Sequence, residues 1–357
     1  MEKKSKGSKS LRGMLLKMMG PSGSQTFLSF FLRPAKNQSF TFPVNNKSIK
    51  EVIIILPCEE LEVIYQLHNV IALSILFKNS SINVFCEQSV STFIKMIPGL
   101  NVIEFDNKER LSISSSFRSK IKEVRGQADL CILLNRSPDP AFLYLAEASG
   151  APVRAGYQGA GRHPFINIHA IPDKTNTYIR DRNYMMAKIF GAKPVEIRWS
   201  IAKKTLDELQ QLFTELKFTA DDNLIGIDAL FLIRKFGLEW TSSLLEGIKE
   251  LKKGTTYLYV QSDPAKSELE WMSQQTLPVI NSLPSSRTAA LVSRSKVIIT
   301  GNTILYALAG TVNSSAVGFF STEEIETYCP QSSTLKGITF QDCNSAEEAL
   351  RLVSSFL

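Results

Sequence analysis

Residues 51–87, EVIIILPCEELEVIYQLHNVIALSILFKNSSINVFCE, decide the fold of this chain. EVIIILP (51–57) is an unbroken apolar, β-branched run of strand length, the composition of a strand covered on both faces. LEVIYQLHNVIALSILFKN (61–79) is too long for a strand, and Val63, Ile64, Leu67, Ile71, Ser74 and Ile75 recur near the helical period. SINVFCE (81–87) is strand-like again. A strand, a helix and a strand with no hairpin turn between them form a βαβ unit, whose two strands run parallel.

The same alternation extends downstream. STFIKMIP reads as a short helix, NVIEFD (101–106) as a strand, and a charged helical stretch leads to the strand ADLCILLN (128–135). AFLYLAEASG reads as a helix stopped by Gly150, PVRAGYQG as strand and loop, and the helix in 177–194 ends at Gly191. Residues 195–222 read as a crossing that carries one helix, AKKTLDELQQLFTELKF. Then the pattern restarts with the strand LIGIDAL (224–230), a helix from about Glu239 to Lys252, TTYLYVQ (255–261), a helix near Lys266–Gln275, TLPVIN and a helix in SRTAALVSRS. KVIITGN (296–302), the helix ILYALAG, SSAVGFF (314–320) and a final helix SAEEALRLVSSFL complete it.

Two such halves predict an α/β protein of two facing Rossmann-like domains, each a mainly parallel sheet with helices on both faces. The expected divisions are a leader over 1–45, an N-terminal domain over 46–200 and a C-terminal domain over 201–357. Ligands of such sheets bind beyond the carboxyl ends of the strands. That directs attention to the loops after Pro57, Asn135, Leu230, Gln261, Asn302 and Phe320. Neither G-x-G-x-x-G nor G-x-x-x-x-G-K-[ST] occurs in them, so hydride transfer and P-loop phosphoryl transfer lack their usual sequence support.

The chain has 357 residues and a formal charge of +7, which suggests nucleic acid until it is located. Residues 1–36 hold eight Lys/Arg and one Glu, leaving 33 basic and 33 acidic side chains in the remainder. The body is neutral and no nucleic-acid partner is expected. The leader has two apolar clusters, around Met14–Met19 and Phe27–Leu32, both far short of the ~20 residues of a spanning helix. It has no secretory cleavage pattern. Basic residues beside Phe and Leu suit either an anionic membrane surface or a solvated tail packed on the body. Cys58, Cys86, Cys131, Cys329 and Cys343 are scattered and form no C-x-x-C pair, which suggests reduced core or surface thiols in a cytosolic compartment. His68, His163 and His169 have no metal-ligand spacing, so neither a metal nor another cofactor is expected.

VIITGNTILYALAGTVNSSAVGFFSTE (297–323), ASGAPVRAGYQG (148–159) and LPSSRTAALVSRSKVIIT (283–300) together resemble segments of glycosyltransferase family 9, the bacterial ADP-heptose:lipopolysaccharide heptosyltransferases. The resemblance covers roughly residues 50–345. It implies the GT-B fold, with an acceptor-binding N-terminal domain and a C-terminal domain that binds a nucleotide-diphosphate sugar. The family's first loop carries Gly-Asp, the Asp being the base for the acceptor hydroxyl; here Leu61 and Glu62 stand in those places. A Glu can serve if it reaches the proton, and a Glu in a first helical turn is equally explained by the helix dipole.

In the donor motif, Asn302 replaces the Asp, Thr303 the Thr or Ser, Ile304-Leu305 the Gly-Pro and Ala307 the His. Asn302 and Thr303 are thus implied donor contacts, and by residue type they are also good helix N-caps. Arg234 and Lys235 match the family's Lys-Arg pair and imply phosphate contacts, while Asp228-Ala229 stand where the family has His-Pro-Gly, and Asp228 opposes an anion there. Ser262-Asp263 replace a Gly pair, and Arg154 and Arg162 are implied acceptor-side cations. The resemblance thus implies transfer of a sugar to a glycolipid or lipopolysaccharide-type acceptor, by a protein placed in the cytoplasm or on the inner face of the membrane. The replacements leave open a second reading, a catalytically degenerate GT-B protein that binds or scaffolds at a membrane surface.

Overall fold

The computed structural model describes residues 39–111, 114–138, 140–159, 165–171, 177–195, 201–219, 222–330, 332–343 and 345–357. Most of the leader, Arg162 and His163 lie outside the described residues. The chain forms two compact units, Met1–Glu59 with Gln66–Asp173 and Asn183–Val195, and Glu60–Tyr65 with Lys174–Arg182 and Glu196–Leu357.

The N-terminal half runs β1 (Glu51–Ile55), α1 (Glu60–Leu76), β2 (Ser81–Glu87), α2 (Ser91–Lys95), β3 (Leu100–Phe105), α3 (Asn107–Leu111) and α4 (Ser115–Glu123). It continues with β4 (Leu130–Leu133), α5 (Pro140–Ala148), β5 (Val153–Tyr157), β6 (Ile168–Ala170) and α6 (Ile179–Lys188). Its sheet has the order β3-β2-β1-β4-β5-β6 with every neighbouring pair parallel. As the apolar run predicts, Val52, Ile53, Ile54 and Ile55 are all buried. Ile53 and Ile55 join Phe85, Phe105, Phe117 and Leu133 in one core cluster, with α4 and α5 supplying the cover. Helix α5 ends as expected at Gly150, whose φ of +71° and contact with the Gly126 backbone leave no room for a Cβ.

The second half runs α7 (Lys203–Glu215), β7 (Leu224–Asp228), α8 (Ala229–Phe236), α9 (Leu238–Leu251), β8 (Thr255–Val260), α10 (Lys266–Gln274), β9 (Val279–Asn281) and α11 (Ser285–Arg294). It closes with β10 (Ser295–Gly301), α12 (Ile304–Val312), β11 (Ser315–Phe320), α13 (Thr322–Tyr328), β12 (Leu335–Thr339) and α14 (Ala346–Ser354). The order β12-β11-β10-β7-β8-β9 is the arrangement of the first sheet repeated, again all parallel. Its core gathers Ile225, Ile227, Leu245, Ile248, Leu258, Val297, Ile299, Val317 and Phe319. The central strand β7 packs so closely that a Cβ on Gly226 would run into Tyr257 Oη and Ile298 Cδ1.

Besides α8, three short elements escape the sequence pattern: β6, α13 and β12 are too brief to show a period. A fourth difference matters for function. LIGIDAL reads as one strand through Leu230, yet β7 stops at Asp228, because its carboxylate accepts the Phe231 N–H at 3.3 Å and caps α8. Among the described residues no helix is long and apolar enough to cross a membrane.

Candidate functional site

In each sheet the strand order reverses direction beside the first strand, between β1 and β4 in one and between β7 and β10 in the other. Loops leaving the carboxyl ends of strands diverge at such a point and open a crevice. In the C-terminal unit a pocket of about 320 Å³ lies there, lined by Asp228, Phe231, Arg234, Lys235, Ser262 and Thr303 among others. A larger polar hollow in the N-terminal unit, lined by Glu51, Asn83, Asn101, Glu104 and Lys120, adjoins the starts of β1 and β2, the end of an α/β sheet that does not ordinarily hold the chemistry.

Asp228 sits at the end of β7 and is only 2% exposed. Its Oδ2 accepts the Thr300 hydroxyl at 2.8 Å, and the Thr300 and Thr303 hydroxyl oxygens are 2.7 Å apart. Burial pushes the Asp228 carboxyl up from its usual 3.8 to about 6, against the hydrogen bonds from Thr300 and Phe231 that favour its charge. Thr303 occupies the N-cap position of α12, but its side chain makes no capping bond and turns to Thr300 instead. Position 301 must be glycine for the same packing, since a Cβ there would strike the Phe231 ring.

Helix α8 buries Ala229, Leu230, Leu232 and Ile233 and exposes Arg234 and Lys235 in its last turn, where cations suit the helix dipole. Arg234 is held by Glu268 through a bidentate pair, Nε to Oε1 at 2.8 Å and Nη2 to Oε2 at 2.9 Å. Its remaining donors reach Ser262 Oγ at 3.1 Å and the Asp263 carbonyl at 3.2 Å. The bond from Arg234 holds the Glu268 carboxyl below the usual carboxylate range. Lys235 places its Nζ 3.6 Å from the centroid of Phe340, a cation–π contact at the pocket's edge.

Of the four implied donor contacts, the structure therefore brings Arg234, Lys235 and Thr303 to one pocket. Asn302 points elsewhere: its Nδ2 donates to Glu324 Oε1 at 3.1 Å, tying this loop to the start of α13, and its buried Oδ1 has no hydrogen-bond partner among the described residues. The guanidinium of Arg234 is neutralised by a carboxylate 34 residues away, which no local reading of IDALFLIRKFGLEW reveals.

In the N-terminal half, Glu62 is exposed in the first turn of α1. Arg154, an implied acceptor-side cation, is 3% exposed, and its guanidinium donates to the Phe165 and Ala151 carbonyls at 2.7 and 2.8 Å. Its guanidinium is thus engaged by carbonyls on either side of β5, Ala151 before the strand and Phe165 after it. At the carboxyl end of β4, Arg136 instead donates to Asn183 Oδ1 at 2.9 Å and lies over the Tyr157 ring. Below it runs a buried network in which Asn69 donates to Gln66 and to the Asn183 carbonyl, each at 2.6 Å, and Tyr157 donates to that carbonyl at 2.8 Å. The position of Arg136 in the loop after Asn135 was the available signal, but its partners lie far along the chain. Cys86 and Cys131 have thiols pushed up to about 12 by burial, as core thiols should. Among the described residues no group of three His, Cys, Asp or Glu is placed to hold a metal.

No protein-family model matches the sequence, and no curated protein matches it either. Solved structures do. A family 9 glycosyl transferase from Veillonella parvula superposes with a TM-score of 0.75 at 15% identity, covering 86% of this chain and 97% of that one. The E. coli ADP-heptose lipopolysaccharide heptosyltransferase II gives 0.65 at 13% identity over 86% and 98% of the two chains. An E. coli heptosyltransferase solved with ADP gives 0.62 at 13% identity over 86% and 100%. The fold is thus of the GT-B type expected from the sequence, shared with these transferases over 86% of this chain. At such identities the likeness speaks for the fold.

Proposed function

We propose that this protein is a heptosyltransferase-like glycosyltransferase that takes a sugar from a nucleotide-diphosphate donor in the C-terminal pocket and passes it to a glycolipid or saccharide acceptor. The observation that carries the reading is the pocket at the carboxyl ends of β7 and β10, where Lys235 and Thr303 meet. Support comes from the shared fold, since structures resembling this one were solved with ADP and with an ADP-heptose analogue. The proposed chemistry needs no metal. The acceptor hydroxyl loses its proton to Glu62 as its oxygen bonds the sugar's anomeric carbon, while the bond from that carbon to the β-phosphate breaks and leaves the nucleoside diphosphate. Lys235 stabilises the charge gathering on the departing phosphate, with Arg234 fixing the neighbouring α10 through Glu268.

Calorimetric titration with ADP- and UDP-sugars tests the reading: binding to the wild type, weakened in the variant Arg234→Ala plus Lys235→Ala, is expected. Absence of heat with every sugar nucleotide would sink it. For the basic leader we propose attachment to an anionic membrane face. Co-sedimentation with anionic liposomes should be salt-sensitive and require residues 1–36, and equal pelleting without them would reject the role.

A further inference from the structure

The floor of the C-terminal pocket carries a chain of hydroxyls whose direction is set from below. Asp228 Oδ2 accepts the Thr300 proton at 2.8 Å, and Thr300 Oγ1 lies 2.7 Å from Thr303 Oγ1. Each hydroxyl has a single proton. With Asp228 ionised, Thr300 donates its hydrogen bond to the carboxylate, so the Thr303 hydroxyl donates inward as well, to Thr300 or to the Asp228 carboxylate it also reaches. Thr303, the member of the chain nearest solvent and part of the pocket lining, then offers only lone pairs to a ligand. The carboxylate that imposes this order is buried, held by the Phe231 N–H on one oxygen and Thr300 on the other.

We propose that the Asp228–Thr300–Thr303 chain sets the hydrogen-bond polarity of the pocket floor, so that the pocket takes a hydroxyl or amino group of its ligand at Thr303 and turns a phosphate oxygen away. The inference rests on reading this pocket as the sugar-nucleotide site and adds which part of the ligand goes where. A phosphate oxygen carries only lone pairs and negative charge, and at Thr303 it meets a lone pair backed by a carboxylate. A ribose or sugar hydroxyl meets a matched acceptor there. The diphosphate accordingly lies toward Lys235, the cation on the same lining that no carboxylate neutralises through a described ion pair. The donor contact at Thr303, implied by the resemblance, thereby falls on a hydroxyl or amino group of the donor rather than on its diphosphate.

Asp228→Asn tests the chain directly, because the amide reverses it without changing its size. The Asn Oδ1 keeps the Phe231 N–H, its Nδ2 donates to Thr300, Thr300 donates to Thr303, and Thr303 turns its proton to the pocket. Titrations of ADP and of adenosine into the full-length wild type, Asp228→Asn, and the double variant Asp228→Asn/Thr303→Val read the outcome, with circular dichroism confirming the fold of each. The preference for ADP over adenosine should rise about tenfold or more in Asp228→Asn, the size of one hydrogen bond to a charged group. Most of that rise should be lost in the double variant, since it passes through the Thr303 hydroxyl. An unchanged preference in Asp228→Asn, or a gain that mostly survives in the double variant as mere removal of charge, overturns the inference while leaving the donor site in place. No heat from ADP, adenosine or any sugar nucleotide in any of the three proteins overturns the donor-site reading, and the role of the chain with it.

Discussion

Replacing Asp228 by Asn should make the protein more stable at neutral pH. In the native state burial holds the Asp228 carboxyl at about 6, against 3.8 when it is solvated. The native state therefore retains a proton between those values that the unfolded chain has released, so stability falls as pH rises through that window and the full penalty stands above about pH 6. The gap is worth about 3 kcal/mol. Asn has no charge to bury, and it keeps the cap on α8 and a bond to Thr300. The expected gain is about 2–3 kcal/mol at neutral pH, or roughly 4–10 °C in the melting temperature of a domain this size. At pH values near 4 Asp228 is protonated in the native state, and the advantage should vanish. Urea unfolding followed by circular dichroism, run on both proteins across this range, measures it. A variant less stable than wild type at neutral pH, or one with the same advantage at both ends of the range, would refute the argument that a buried, desolvated carboxylate sits under the pocket.

Three further outcomes follow from particular contacts. Gly226→Ala forces a methyl against the buried Tyr257 and Ile298 and should cost about 1–3 kcal/mol in urea unfolding; a neutral result would mean that β7 and β8 relax more freely than this core packing allows. Asn69→Leu strips partners from the Asn183 carbonyl and from the Ala187 N–H, which donates to Asn69 Oδ1 at 3.2 Å, and should cost about 2–4 kcal/mol, visible as a lowered melting temperature. Glu62→Gln, at an exposed helix start, should leave the melting temperature unchanged but lower turnover with a sugar-nucleotide donor by about 10²–10⁴-fold; unaltered turnover would remove Glu62 as the base.

Much of the fold was legible in the sequence because parallel strands buried on both faces must be apolar at every position. EVIIILP, TTYLYVQ and KVIITGN announce themselves for that reason, and most of the longer helices announce themselves by their period, α8 being missed because it begins inside an apolar run. The brief β6 and β12 do not, since a few residues carry no period and their pairing is decided by the strands beside them. LIGIDAL was misread past Asp228 because a carboxylate inside an apolar run gives no sign of capping until the chain has turned.

The site divides along the same line. The resemblance to family 9 pointed to Arg234, Lys235, Asn302 and Thr303, while the order of strands and helices alone pointed to the loops after the strands, because the carboxyl ends of parallel strands are where an α/β sheet opens. Only the tertiary structure decided what each does: Arg234 is bound to Glu268, Asn302 to Glu324, Arg154 to backbone carbonyls, and Thr303 to a chain that begins at a buried Asp228. Those partners lie up to 72 residues apart, and hydrogen bonding and burial depend on distance in space, which the order of residues does not contain.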